Sequence, residues 1–158
     1  MWLFMYVCYF MGIGTYTLFV MSGLQGIFGF SVMGTSHATF SFLTTIIYLF
    51  SQTVTIFFFI GTSTNIREYI SARQQTPQTS ELLSQARFVR SRVSGQIYLN
   101  ILLFLIQAVL GGAIAASAVP RFLHGSMVLA AFLHFHYMLW REHLGFRDMT
   151  KIVIKMTK

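Results

Sequence analysis

The sequence predicts an all-α integral membrane protein: four transmembrane helices in an up-down bundle, with a cytoplasmic amphipathic segment between the second and third. Three observations predict it. Hydrophobic residues make up 55% of the 158 positions and charged residues only 9%, where soluble domains carry about 25% charge. The apolar residues gather into four blocks, 2–33, 38–61, 97–119 and 122–140, each close to or above the ~20 residues that a spanning helix needs. Ten of the eleven positive charges then fall on one side of an even-numbered topology. Arg67, Arg73, Arg87, Arg90 and Arg92 lie between the second and third blocks, and Arg141, Arg147, Lys151, Lys155 and Lys158 follow the fourth, leaving Arg121 alone in the turn opposite. The positive-inside rule puts both termini and the middle loop in the cytoplasm. A bacterial inner membrane, or an organelle inner membrane, is the expected location. The net charge of +7 therefore encodes orientation and gives no reason to expect nucleic acid.

The chain reads as one domain over 1–158, with helices at about 2–33, 37–66, 81–119 and 121–143, a polar cytoplasmic linker at 71–80 and a basic cytoplasmic tail at 144–158. The first block opens Met-Trp-Leu-Phe-Met-Tyr, lacks a basic n-region and is too long for a signal peptide, so a retained helix is expected. Its glycines, with Ser22 and Gly26 four apart, suit close helix packing. Its Cys8 is the single cysteine of the sequence and reads as a packing residue. Ser36 stands where an N-cap for the second helix belongs. Pro77 in Gln-Gln-Thr-Pro-Gln-Thr-Ser prevents that helix from running on, and Ser80 before Glu81 reads as the next N-cap. Leu82, Leu83, Ala86, Val89 and Val93 recur at helical spacing, with Arg87, Arg90 and Arg92 on another face. An interfacial helix with its arginines near anionic headgroups is expected there. The third block ends in the small residues 111–118 and stops at Pro120. Trp140 and Arg141 read as an interfacial anchor closing the fourth.

Candidate functional residues come from polar groups inside the greasy blocks. At 100° per residue, His37, Ser41, Thr44, Tyr48, Gln52 and Thr55 fall within a sector of about 80°. Hydrocarbon leaves such groups without partners, so the stripe should face the bundle interior, a cofactor or another subunit. His37 opens the second helix and His124 the fourth. In an up-down bundle these two run the same way, which brings both imidazoles to similar depth near the outer face, where they either hold a bis-histidine haem or another metal or simply cap their helices and touch headgroups. His134 and His136 point about 200° apart and cannot share an ion. Either could be a haem ligand, a quinone hydrogen-bonding group, part of a proton path or a structural bond between helices.

Enzyme chemistry has little support. None of the four blocks contains Asp or Glu, and there is no phosphate loop, no HExxH and no Ser/His/acid trio. Three roles remain. The first is a non-catalytic accessory subunit that stabilises a larger respiratory or photosynthetic electron-transfer complex through contacts with other membrane subunits. The alternative is a cytochrome-b-like subunit binding b-type haem or quinone, with His37 and His124 as metal ligands and His134, His136, Tyr48 and Gln52 as further cofactor contacts. Such a subunit is similar, in architecture alone, to the membrane anchors of respiratory oxidoreductases. A small transporter or channel is the third. A bound lipid or pigment would suit the same aromatic-rich interior.

Overall fold

The computed structural model describes residues 2–72 and 77–157. Four helices account for nearly all of them: α1 (Trp2–Phe28), α2 (His37–Ser71), α3 (Pro77–Ala115) and α4 (Arg121–Thr157). All four are long and apolar enough to cross a membrane, and no named strand occurs among the described residues. At 1.5 Å per residue, α1 is about 40 Å long and the others about 50 to 60 Å, so each exceeds the ~30 Å hydrocarbon layer. Large apolar side chains such as Phe10, Val109, Phe57 and Leu133 lie on the outside, a surface suited to lipid rather than water. The chain is a small multi-pass membrane protein.

Backbone chemistry explains where the helices stop. α1 ends at Phe28, short of the 33 expected, because Gly29 takes φ +70° and its N–H donates to the Gln25 carbonyl, the left-handed cap that glycine permits. Met33 and Gly34 both have positive φ, and the Thr35 N–H returns to the Val32 carbonyl at 2.9 Å. Positive φ at both central residues is what a type I′ turn requires. Ser36 then caps α2, its side chain accepting from the Thr39 N–H. α3 ends at Ala115 instead of 119 in a Schellman motif. Ser117 adopts φ +57°, its N–H donates to the Ile114 carbonyl, and the Ala118 N–H donates to the Ala113 carbonyl.

Two other expectations need correction. Ser80 does not cap the third helix: α3 starts at Pro77, whose ring suits a first helical position, and the Ser80 hydroxyl donates to the Pro77 carbonyl at 2.7 Å. The fourth helix does not stop near 143 as expected, and the described basic residues after it are helical. α4 continues to Thr157 because Phe146, Met149 and Ile152 extend its buried face. Linker residues 73–76, with Arg73, and the terminal Lys158 lie outside the described residues. The segment carrying Arg87, Arg90 and Arg92 is continuous with α3, and its Leu82, Ala86 and Val93 join the same core as Ile66, Ile70, Met149 and Ile152.

Contact pairs fix how the helices meet. Phe4 reaches Phe58, Ser22 reaches Ser41 and Gly26 reaches His37, so positions rising along α1 meet positions falling along α2. Val93 with Gly145, Asn100 with His134 and Gly111 with His124 give α3 and α4 the same opposed sense. The closest backbone approaches are between sequential helices, while α1 and α4 meet mainly through long side chains. At the centre, Tyr48 stacks on Phe104 with centroids 4.0 Å apart and meets Phe135 edge-on at 5.5 Å, and Phe19 closes on Phe104 at 4.4 Å. Those four rings come one from each helix. Such pairs add about 0.5–1.5 kcal/mol each beyond area burial.

Candidate functional site

Three polar regions occupy the bundle. At the end where α2 and α4 begin, His37 and His124 each rest on a glycine of the preceding helix. A Cβ on Gly26 would lie 2.9 Å from His37 Cε1, and one on Gly111 would lie 3.3 Å from His124 Cε1. The rings occupy space that any side chain at those positions would take. His37 Nδ1 is 3.3 Å from Ser41 Oγ, which is 2.6 Å from Ser22 Oγ. His124 Nδ1 is buried with no hydrogen-bond partner among the described residues. The two imidazoles are near enough to act on each other electrostatically.

The second region lies where α2, α3 and α4 meet. Tyr48 Oη donates to Asn100 Oδ1 at 2.8 Å, while Asn100 Nδ2 donates to the Ala131 carbonyl at 3.2 Å and to His134 Nδ1 at 3.0 Å. With Nδ1 accepting, the His134 proton resides on Nε2 and is donated to Gln96 Oε1 at 3.3 Å. His134 and Tyr48 are thus fully used by protein partners. Thr44, Gln52 and Thr55 of the α2 stripe are buried as well, but both polar atoms of the Gln52 amide lack a partner among the described residues. His37 stands apart from them, exposed at the rim.

The third region is the α1–α4 seam. Tyr16 Oη lies 2.8 Å from His136 Nε2, and Tyr9 Oη lies 2.8 Å from His143 Nδ1. His136 Nδ1 is 3.2 Å from the Phe132 carbonyl, so it carries the proton and Nε2 accepts from Tyr16. His134 and His136 therefore serve opposite sides of α4, toward α3 and α1. Between the two Tyr–His rungs lies Glu142, 5% exposed, its Oε1 without a partner among the described residues.

Sequence reasoning missed Asn100 and Glu142. Asn100 had a signal: a single amide inside an apolar block has to find partners. The return of polarity at Trp140 hid Glu142, yet the spacing of Phe135, Met138, Glu142, Phe146 and Met149 places it on the buried face of α4. No three His, Cys, Asp or Glu side chains gather to hold an ion among the described residues. Compared with protein families, characterised proteins and solved structures, the chain matches none.

Proposed function

We propose that the chain is a small non-catalytic membrane subunit of a respiratory or photosynthetic electron-transfer complex, carrying a b-type haem between His37 and His124. One observation carries this reading. Two imidazoles from different helices sit at one end of the bundle, each against a glycine and within electrostatic reach of the other. Two side-chain ligands cannot cage a bare ion, but they suffice for a haem, whose porphyrin brings the other four. Ser41 Oγ, 3.3 Å from His37 Nδ1, supplies the partner that orients a ligating histidine. The unpartnered His124 Nδ1 has the lone pair or proton still to place. When bound, the haem would supply one-electron chemistry, and the chain would fix its position and shield it from lipid. Other integral membrane subunits would pack on the exposed aromatic faces, and Arg87, Arg90 and Arg92 would meet anionic headgroups on the cytoplasmic side, where both termini would lie.

A reduced-minus-oxidised spectrum with pyridine haemochrome analysis tests this on the chain purified with its native neighbours. The expected result is a b-type signal that His37→Ala and His124→Ala each abolish and that His134→Ala leaves in place. Absence of haem from the unsubstituted protein overturns the reading. The second reading, a cofactor-free stabilising subunit, draws on the Tyr48–Asn100–His134–Gln96 network, in which histidine does purely structural service.

A further inference from the structure

The α1–α4 seam holds a cavity of about 380 Å³ between the two Tyr–His rungs. Gly12 forms one wall with no side chain, and Tyr9, Tyr16 and Phe146 present rings to it. Ile13 also lines it and is 68% exposed, so the cavity opens toward lipid rather than toward the bundle end. Glu142 is the only charged type among the lining residues, and no lysine or arginine stands beside it there. A carboxyl buried in apolar surroundings with an unpartnered oxygen costs about 1–3 kcal/mol until a hydrogen-bonding partner arrives. The occupant is therefore lipid-soluble, flat and able to bond a carboxyl.

Spacing narrows the class. His136, the partner of Tyr16, and Glu142 are six residues apart on α4, about 9 Å along the axis. A para-quinol with a hydrogen bond of about 2.8 Å on each oxygen spans a comparable length. A fatty acid or alcohol has only one polar end. We propose that this cavity binds the ring of a membrane quinol, one hydroxyl donating to Tyr16 Oη and the other to a Glu142 oxygen. Tyr16 gives its proton to His136 Nε2, so its oxygen accepts from a quinol hydroxyl. Glu142 Oε1, which has no partner among the described residues, accepts from the other hydroxyl, so the site selects the reduced form. The proposal extends the electron-transfer reading but rests on residues remote from His37 and His124.

The test is equilibrium binding of decylubiquinol, kept reduced under anaerobic conditions, to the protein in phosphatidylcholine nanodiscs, with protein-free discs as background. About one saturable quinol per chain is expected. Glu142→Leu and Gly12→Leu should each weaken binding tenfold or more, and Tyr16→Phe, which keeps the ring and the fold, severalfold. Gly14→Leu, whose side chain meets open space, should leave binding unchanged, and decanoic acid should not compete. Binding no greater than the lipid background overturns the proposal. So does binding that survives Glu142→Leu and Tyr16→Phe intact, or equal displacement by decanoic acid. Haem measured on the same discs should be unaffected by Glu142→Leu, so the haem and quinol readings fail separately.

Discussion

The α2–α3–α4 junction and the α1–α4 seam each hold histidine and tyrosine, but they account for their hydrogen bonds differently. At the junction, Tyr48, Asn100, His134 and Gln96 form a chain that ends on the Gln96 side-chain oxygen, with a branch from Asn100 to the Ala131 carbonyl. At the seam, the Tyr–His rungs are closed, while Glu142 between them is left with an unpartnered oxygen beside a cavity. An intramembrane histidine is thus no marker of function by itself. What sets Glu142 apart is an oxygen that is buried, unpartnered among the described residues and on the wall of a cavity, whereas the unpartnered Gln52 amide does not line that cavity.

The largest break in that comparison comes from Asn100→Leu, which strands both the Tyr48 hydroxyl and the His134 ring. A loss of about 3 kcal/mol is expected, at 1–3 kcal/mol per stranded group, measured by reversible unfolding in mixed SDS micelles. Glycines sharpen the contrast next. A Cβ at Gly145 would lie 2.6 Å from Val93 Cγ2 and 2.9 Å from Phe59 Cζ, whereas one at Gly12 would meet Leu139 at an ordinary 3.6 Å. Gly145→Ala should therefore cost about 2 kcal/mol through overpacking, and Gly12→Ala should stay within about 0.5 kcal/mol of the unsubstituted protein. Gln52→Leu should gain about 1 kcal/mol, because it removes a buried amide with no partner and replaces it with a side chain of similar volume; a loss of stability would mean that the amide is satisfied in the membrane. The smallest effect belongs to Arg147→Ala, since its 3.5 Å pair with Asp148 is exposed and should change the midpoint by less than about 0.5 kcal/mol.

Much of this was legible in the residues. Four apolar blocks predict four helices because hydrocarbon leaves the backbone no other partner, and Ser36 announces the start of α2. The interior placement of Thr44, Tyr48, Gln52 and Thr55 followed from angular arithmetic alone. The partners of those groups did not, because Tyr48 meets Asn100 through a register between helices that no single-helix periodicity contains. Glu142 was lost for a different reason. Hydropathy marks where a helix leaves the membrane, not where it leaves the protein, and α4 keeps a buried face for several turns past Trp140.

The connectivity of the bundle sets an order of assembly. α1 and α2 are joined by a tight turn, as are α3 and α4, so each hairpin can form from neighbours in the chain, with contacts such as Ser22–Ser41 only 19 positions apart. The ring closes through Tyr16–His136, Tyr9–His143 and Thr150–Met5, pairs separated by 120, 134 and 145 positions. Contacts that close the longest stretches of chain carry the largest entropic cost and form late. The α1–α4 seam, tied mainly by side chains, is then the part of the bundle expected to open with least disturbance to the rest. A molecule dissolved in the bilayer can enter sideways there while the three other helices hold their places.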